Sequence, residues 1–183
     1  RVRLALPPET RARLSALRLR AKQRAREDRR TTTGLLSLAR FVAMDLETTG
    51  PNMMRDRIIS IGAVAVVERA VRHDDAFEVV VRQASESRAD NILIHQIGGP
   101  EQRAGVEPMD ALLSFLEFLD GSIAVAFRSE FDSTVLGREL QDSLGIRAGP
   151  RFLDLASMLP ALFPNTPNDS LDDWARYFGL PPI

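Results

Sequence analysis

The chain has 183 residues, enough for one domain plus an extension, and 44% of them are hydrophobic, enough for a core. It has no cysteine, which excludes a disulfide framework and thiolate metal ligands and is compatible with a reducing cytoplasm. The net charge of −1 hides an asymmetry: residues 1–30 hold eleven Lys/Arg against three Asp/Glu, net +8, whereas residues 31–183 sum to −9.

Pro7 and Pro8 precede a run with Leu14, Leu17 and Ala21 at helical spacing among arginines, which predicts one solvated helix from about 9 to 29 with a narrow apolar stripe. Thr31-Thr32-Thr33-Gly34 reads as a linker. Arg29-Arg30 with Leu35 and Leu36 faintly resembles a twin-arginine signal, but Arg40 interrupts the apolar stretch, which runs on into a core strand, so no signal is expected. The first residue is Arg, so the chain is expected to begin inside a longer gene product. Phe41–Leu46 predicts a buried strand and Thr49-Gly50-Pro51-Asn52 a turn. Ile58–Val67 predicts a second strand and Phe77–Arg82 a third, and their short spacings suggest three consecutive antiparallel strands. The longest apolar run, Ile61–Val67, is strand-sized, so no membrane span and no membrane partner are expected.

Residues 90–99 read as irregular, with His73 in a charged, solvated turn before them. Pro108 opens a helix carrying Met109, Leu112, Leu113, Leu116 and Leu119. Ile123–Phe127 predicts a fourth strand, and Ser133–Leu144 a helix closed by Gly145. Asp154 caps a short helix with Leu155, Met158, Leu159 and Leu162 on one face, kinked or shortened by Pro160. Ser170 caps a last helix with Leu171, Trp174 and Phe178 on one face, ended by Gly179 and Pro181-Pro182. Strands first, then helix–strand–helix alternation, predict a mixed α/β sheet covered by helices, with the crossover through 108–119 returning strand four parallel to strand one.

The chemistry concentrates at Asp45-Leu46-Glu47-Thr48-Thr49-Gly50. A strand puts Asp45 and Glu47 on one face, because side chains repeat every two residues. Two carboxylates at the end of an apolar strand are costly unless a cation neutralises them, and hard oxygen ligands suit Mg²⁺ or Mn²⁺. Gly50 permits close backbone approach to a ligand. The plainer alternative is an edge strand with two solvated acids beside a turn.

Asp45-Leu46-Glu47-Thr48-Thr49-Gly50 resembles the first motif of the DnaQ-like (DEDDh) 3′–5′ exonucleases, the DNA polymerase III epsilon-like branch of the ribonuclease H-like superfamily. Phe131-Asp132 resembles the second motif, although Phe127-Arg128 stands where that family usually has His-Asn. Ile94-His95-Gln96-Ile97 resembles its short His-Gly-Ile element, with Gln96 replacing Gly. The resemblance covers residues 41–183. It implies a ribonuclease H-like mixed five-stranded sheet, three antiparallel strands then parallel ones, flanked by helices. An exonuclease domain over 35–183 would follow a basic helical arm and linker over 1–34. It also implies that Asp45, Glu47 and Asp132 hold two Mg²⁺ or Mn²⁺ ions and act as catalytic residues. Leu46, Thr48, Thr49, Gly50, His95 and Phe131 would contact the terminal nucleotide of a single-stranded 3′ end, DNA ahead of RNA. Taken alone, Asp132 reads as an ordinary helix N-cap, His95 as a loop histidine and Asp154 as a cap.

The family's third motif pairs a histidine, the general base, with a fourth acid five residues later. Asn168 and Asp173 imitate that spacing with Asn in place of His. Ser170-Leu171-Asp172 instead resembles the helix start that precedes the motif, and Asp173, three residues after Ser170, fits a capping box. Asp173 also lies about 200° around the helix from Leu171 and so points away from the apolar face. The motif is expected beyond the Gly179–Ile183 turn. The alternative is an inactive exonuclease-like module that binds nucleic acid or a protein partner. The basic arm is expected to dock on the acidic body or on a partner, or to mediate self-association, in preference to holding phosphates.

Overall fold

A computed structural model describes residues 5–28, 39–166 and 169–181. The predicted linker 31–34, the Arg29-Arg30 pair and Asn168 lie outside these. A five-stranded sheet forms the centre, in the order β3-β2-β1-β4-β5. Strands β1 (Phe41–Thr48), β2 (Ile58–Val67) and β3 (Ala70–Val80) are antiparallel neighbours. β4 (Ile123–Ala126) runs parallel to β1, and β5 (Phe152–Asp154) parallel to β4. This is the ribonuclease H-like arrangement expected from the sequence.

β2 matches its predicted bounds: it is rich in Ile and Val and carries no charged residue. β3 differs: it starts at Ala70, not Phe77, and ends at Val80. The cause is a two-residue hairpin turn, Glu68-Arg69, with φ of 52° and 66°. Both positive values are those of a type I′ turn, which usually announces itself through Asn or Gly. The first half of β3 is an exposed, charged sheet edge, which also discourages pairing with other chains. His73 therefore lies on a strand, solvent-exposed, and not in a turn. The pairing shifts register between Val64 and Ala65, and Asp75 in the irregular stretch accepts two 2.9 Å hydrogen bonds from Arg40.

Residues 90–99 are not irregular throughout: they contribute to α2 (Ala89–His95) and α3 (Gly99–Ala104). Neither helix carries an apolar stripe, and α2 buries no residue, so periodicity could not announce them. α4 (Pro108–Leu119) has the predicted bounds, with Ala111, Leu112, Leu113, Phe115 and Leu119 buried. α5 (Glu130–Leu144) begins three residues earlier than predicted and ends at Gly145, whose φ of 67° suits a glycine C-cap. Ser129 is its N-cap position, so Asp132 lies inside the first turn and is not the cap.

α6 (Leu155–Leu162) is capped by Asp154 and ends two residues after Pro160. α7 (Leu171–Tyr177) is capped by Ser170. On α7 only Trp174 and Ala175 are buried; Leu171 and the C-cap residue Phe178, read onto one face with Trp174, are exposed. Trp174 instead joins Phe163, Tyr177 and Phe178 in a four-ring cluster.

One main core lies between the inner face of β1 (Val42, Met44, Leu46) and helices α4 and α5. The N-terminal helix α1 (Pro8–Asp28) closes it from outside. Leu14 enters the core at 5% exposure, and Arg13 grips Glu117 of α4 through bonds of 2.6 and 2.9 Å. Burying Leu14 contributes about 1.5–3 kcal/mol, more than a partly exposed ion pair at about 1 kcal/mol or less. The arm is therefore docked on the body, and leucine rather than arginine provides most of the attachment.

Candidate active site

β1 alternates strictly over Val42–Thr48: Val42, Met44, Leu46 and Thr48 face inward, Asp45 and Glu47 outward. The β1–β2 register shifts between Glu47 and Thr48, a bulge at the end of the acid pair. Such irregularities re-aim side chains and end pairing beside functional sites. Asp132, 5% exposed, comes from the first turn of α5.

The Asp45 charge acts on both of the other acids. Burial and the Asp45 charge push the Asp132 carboxyl up to about 6 from 3.8, although the Leu46 main-chain N–H pulls the other way. Burial raises Asp45 as well, opposed by that same Leu46 N–H. Asp45 retains solvent contact, yet the protein mass around its base still desolvates its charge. Burial and the Asp45 charge raise Glu47. Among the described residues none of the three has an ion-pair partner, whereas the buried acid of the same helix, Glu139, has Arg57 at 3.1 Å and Arg138 at 3.3 Å. The donor chemistry therefore suits a divalent cation: hard oxygens with excess negative charge and no protein cation to offset it. As they stand, no three such side chains among the described residues enclose an ion. Asp45 is near enough to raise the pKa of Glu47 and Asp132, and the three are too open to form a closed cage.

The turn after β1 is tied down on three sides. Thr48 Oγ1 donates to the Gly50 carbonyl at 2.8 Å, and Thr49 Oγ1 accepts from the Arg57 N–H at 3.0 Å. At Gly50 a Cβ would stand 2.6 Å from Asp56 Oδ2, the oxygen that accepts the Asn52 N–H at 2.8 Å. Leu46 offers only its main chain here, since its side chain is in the core. Phe131 is half-buried against that core.

His95 ends α2 and belongs to a local network. Its Nδ1 accepts the Ile97 N–H at 3.0 Å, which leaves the proton on Nε2, 3.4 Å from Ser87 Oγ. Burial lowers its pKa, which favours the neutral ring. The structure thus groups Asp45, Glu47 and Asp132 with the Thr48–Gly50 turn, while His95 makes its contacts with Ser87 and Ile97.

Four supporting residues escaped the sequence reading. Asn91 Nδ2 donates to the Thr48 carbonyl at 2.7 Å and fastens α2 to the end of β1. Arg57 and Glu139 link the turn to α5. Asp56 anchors the turn through Asn52. Glu139 left a signal, a charged residue four positions after Val135 on a buried helix face. Asp154, read as a cap, accepts from Ala156 N and from Ser129 N, each at 3.2 Å, and so also joins α6 to the start of α5. Burial acts to raise its pKa, but the hydrogen bonds from Ser157, Ser129 and Ala156 outweigh it and hold the carboxyl low. Asp173 completes the capping box with Ser170 and binds Arg176 at 2.9 Å.

A central strand with paired acids and a third acid from the following crossover's helix define a ribonuclease H-like nuclease scaffold. The family model "RNase_T: Exonuclease" matches residues 42–183, so the chain belongs to that exonuclease family. It is 29% identical over 140 residues to a PolC-type DNA polymerase III of Caldanaerobacter subterraneus, covering 75% of this chain and 10% of that protein. It is 26% identical over 137 residues to the DNA polymerase III epsilon subunit of Buchnera aphidicola, covering 70% of this chain and 57% of that one. E. coli exonuclease I in complex with a 5cy-dT13 oligonucleotide superposes with a TM-score of 0.68 at 15% identity, over 79% of this chain and 37% of that one. The chain thus spans about a tenth of the PolC-type relatives and little more than a third of the exonuclease I chain.

Proposed function

We propose that this domain removes nucleotides from the 3′ end of single-stranded nucleic acid, DNA ahead of RNA, with two Mg²⁺ or Mn²⁺ ions held by Asp45, Glu47 and Asp132. The observation that carries the reading is the trio itself: three acids from β1 and α5, all raised by burial, Glu47 and Asp132 also by the Asp45 charge, with no cationic partner among the described residues. The ions, when bound, would supply water activation and charge stabilisation at the leaving 3′-oxygen. Asp45 and Glu47 lie on the solvent-facing side of β1, where a strand end can enter. The Thr48–Gly50 turn, with its hydroxyls bound internally, offers a rigid main-chain wall to the terminal nucleotide. Phe131 supplies an apolar surface beside Asp132, and His95, its pKa lowered by burial, a polar edge on the α2 side. The general base expected from the resemblance has no counterpart here: the chain's two histidines are His73, exposed on β3, and His95.

A 5′-labelled single-stranded oligonucleotide decides the matter. It should shorten from its 3′ end with Mg²⁺ or Mn²⁺ and stay intact in EDTA, and Asp45→Ala should reduce cleavage to background. Robust degradation by that variant, or undiminished activity in EDTA, refutes the proposal. Tight oligonucleotide binding without cleavage would favour the inactive binding module.

A further inference from the structure

A concavity lies at the end of the domain where α5 closes at Gly145. A groove of about 780 Å³ runs between α1, the C-terminal end of α4 and the loop 145–151. Its floor is aliphatic, formed by Leu14, Leu17, Ala21, Leu116, Leu119 and Ile146. Its rim carries Arg18, Arg147 and Arg151, all exposed, and no Asp or Glu is among the described residues that line it. Neighbouring α1 arginines are satisfied, Arg13 by Glu117 and Arg20 by Asp120. Among the described residues the three rim guanidiniums have no such partner. Two of these cations, Arg147 and Arg151, belong to residues 31–183, which sum to −9, and the third, Arg18, to the basic arm.

Charge and floor together select the occupant. Unpaired arginines with their forked donors favour carboxylates or phosphates. A nucleic-acid strand would need aromatic rings to stack its bases, and none is among the described residues that line this groove. An aliphatic floor instead accepts apolar side chains, and the volume lies in the range of preformed ligand pockets. We propose that the groove binds a short acidic segment of a partner protein, its leucine-like side chains seated over Leu17, Leu116 and Ile146 and its carboxylates at Arg18, Arg147 and Arg151. The segment would lie clear of the acids, because α5 separates Asp132 from Gly145 by about 20 Å at 1.5 Å per residue. Binding would tether the domain while leaving its substrate face open. It would also explain why the arm packs on the body: α1 builds one wall of the groove.

The probe is a fluorescein-labelled peptide of alternating aspartate and leucine, titrated by anisotropy against the whole chain. It should bind saturably, with affinity falling as salt rises. Arg147→Ala combined with Arg151→Ala should weaken binding about tenfold or more while leaving the melting temperature and any oligonucleotide cleavage unchanged. Leu17→Ser should weaken it independently. Peptides with lysine for aspartate, or serine for leucine, should not bind. No saturable binding, equal affinity for the lysine peptide, or indifference to the arginine pair overturns the proposal. So does displacement of the peptide by an oligonucleotide, which would make the groove a nucleic-acid site. A concentration-dependent dimer abolished by Leu17→Ser would assign it to a second copy. Binding that arises only after Leu35→Ser with Leu36→Ser would assign it to the chain's own linker.

Discussion

Replacing Asp132 by Asn tests the electrostatics of the site without relying on turnover. The carboxyl is 5% exposed and pushed up to about 6 from 3.8 by burial and the Asp45 charge. A folded-state pKa above the unfolded one means that the folded protein holds the proton more tightly. Below pH 3.8 the group is neutral in both states and costs nothing. As pH rises from 3.8 to about 6 the unfolded chain ionises first, and stability falls; above about 6 the loss is complete. The shift corresponds to roughly 3 kcal/mol at neutral pH, of which roughly 1–3 should be recovered by Asn, since the amide keeps the shape and an acceptor for the Leu46 N–H but carries no charge. For a domain of this size that raises the melting temperature by roughly 3–10 °C in EDTA at neutral pH. Near pH 4 the two proteins should melt together. Saturating Mn²⁺ should stabilise the native protein more than the variant, because only the native one retains all three acids, and so narrow or reverse the gap. Thermal melts in EDTA and in Mn²⁺, each over a pH series, check all of this. A variant no more stable than the native protein in EDTA at neutral pH, or a gap that persists at pH 4, refutes the reasoning.

Leu14→Ala should cost about 2–4 kcal/mol in urea denaturation, because it empties a core position at 5% exposure; a loss within error would mean that the arm is not part of the folded unit. Asn91→Ala removes the 2.7 Å bond to the Thr48 carbonyl and should cost about 1 kcal/mol, with faster amide exchange confined to α2 and the turn after β1. Uniform exchange changes across the sheet would show that Asn91 does not fasten α2 to the site.

What could be read from sequence followed the strength of local pattern. β2 and α4 came out to the residue, one from an uncharged stretch rich in Ile and Val, the other from Pro108 followed by leucines at helical spacing. The early start of β3 was hidden because Glu68-Arg69 makes a left-handed turn without glycine and the residues after it are charged. α2 and α3 gave no periodic signal because so little of them is buried. β5 was missing from the residue-level reading, since three half-buried residues between loops have too short a pattern to register. At the site, Asp45 and Glu47 could be paired from the strand's two-residue repeat alone. Asp132 could be joined to them only through family resemblance, because the crossover that brings α5 to β1 spans more than eighty residues. The Asn91–Thr48 bond lies 43 residues apart with no pattern to mark it.

Asp173 is the residue on which spacing and physics disagree. Its distance from Asn168 imitates a family motif, which would make it the fourth acid. Its side chain is instead committed within α7: Oδ2 accepts the Ser170 hydroxyl at 2.7 Å, and Oδ1 accepts from Arg176 at 2.9 Å. The hydroxyl of Ser170 and the guanidinium of Arg176 hold its carboxyl below the usual range, the opposite of the three acids at the site, whose values are raised. A depressed pKa means stability that is present above the unfolded value and lost as pH falls. Asp173 therefore has the electrostatics of a cap, already neutralised and with no charge left to offer an ion. Asp173→Ala should lower the melting temperature slightly, in the same direction as Ser170→Ala, which should cost about 1 kcal/mol as a lost N-cap. It should leave Mn²⁺ affinity, measured by titration calorimetry, unchanged, whereas Asp45→Ala should weaken it sharply. If Asp173→Ala weakens Mn²⁺ binding as much as Asp45→Ala does, α7 must swing toward β1 when metal arrives, and the capping box is a resting state.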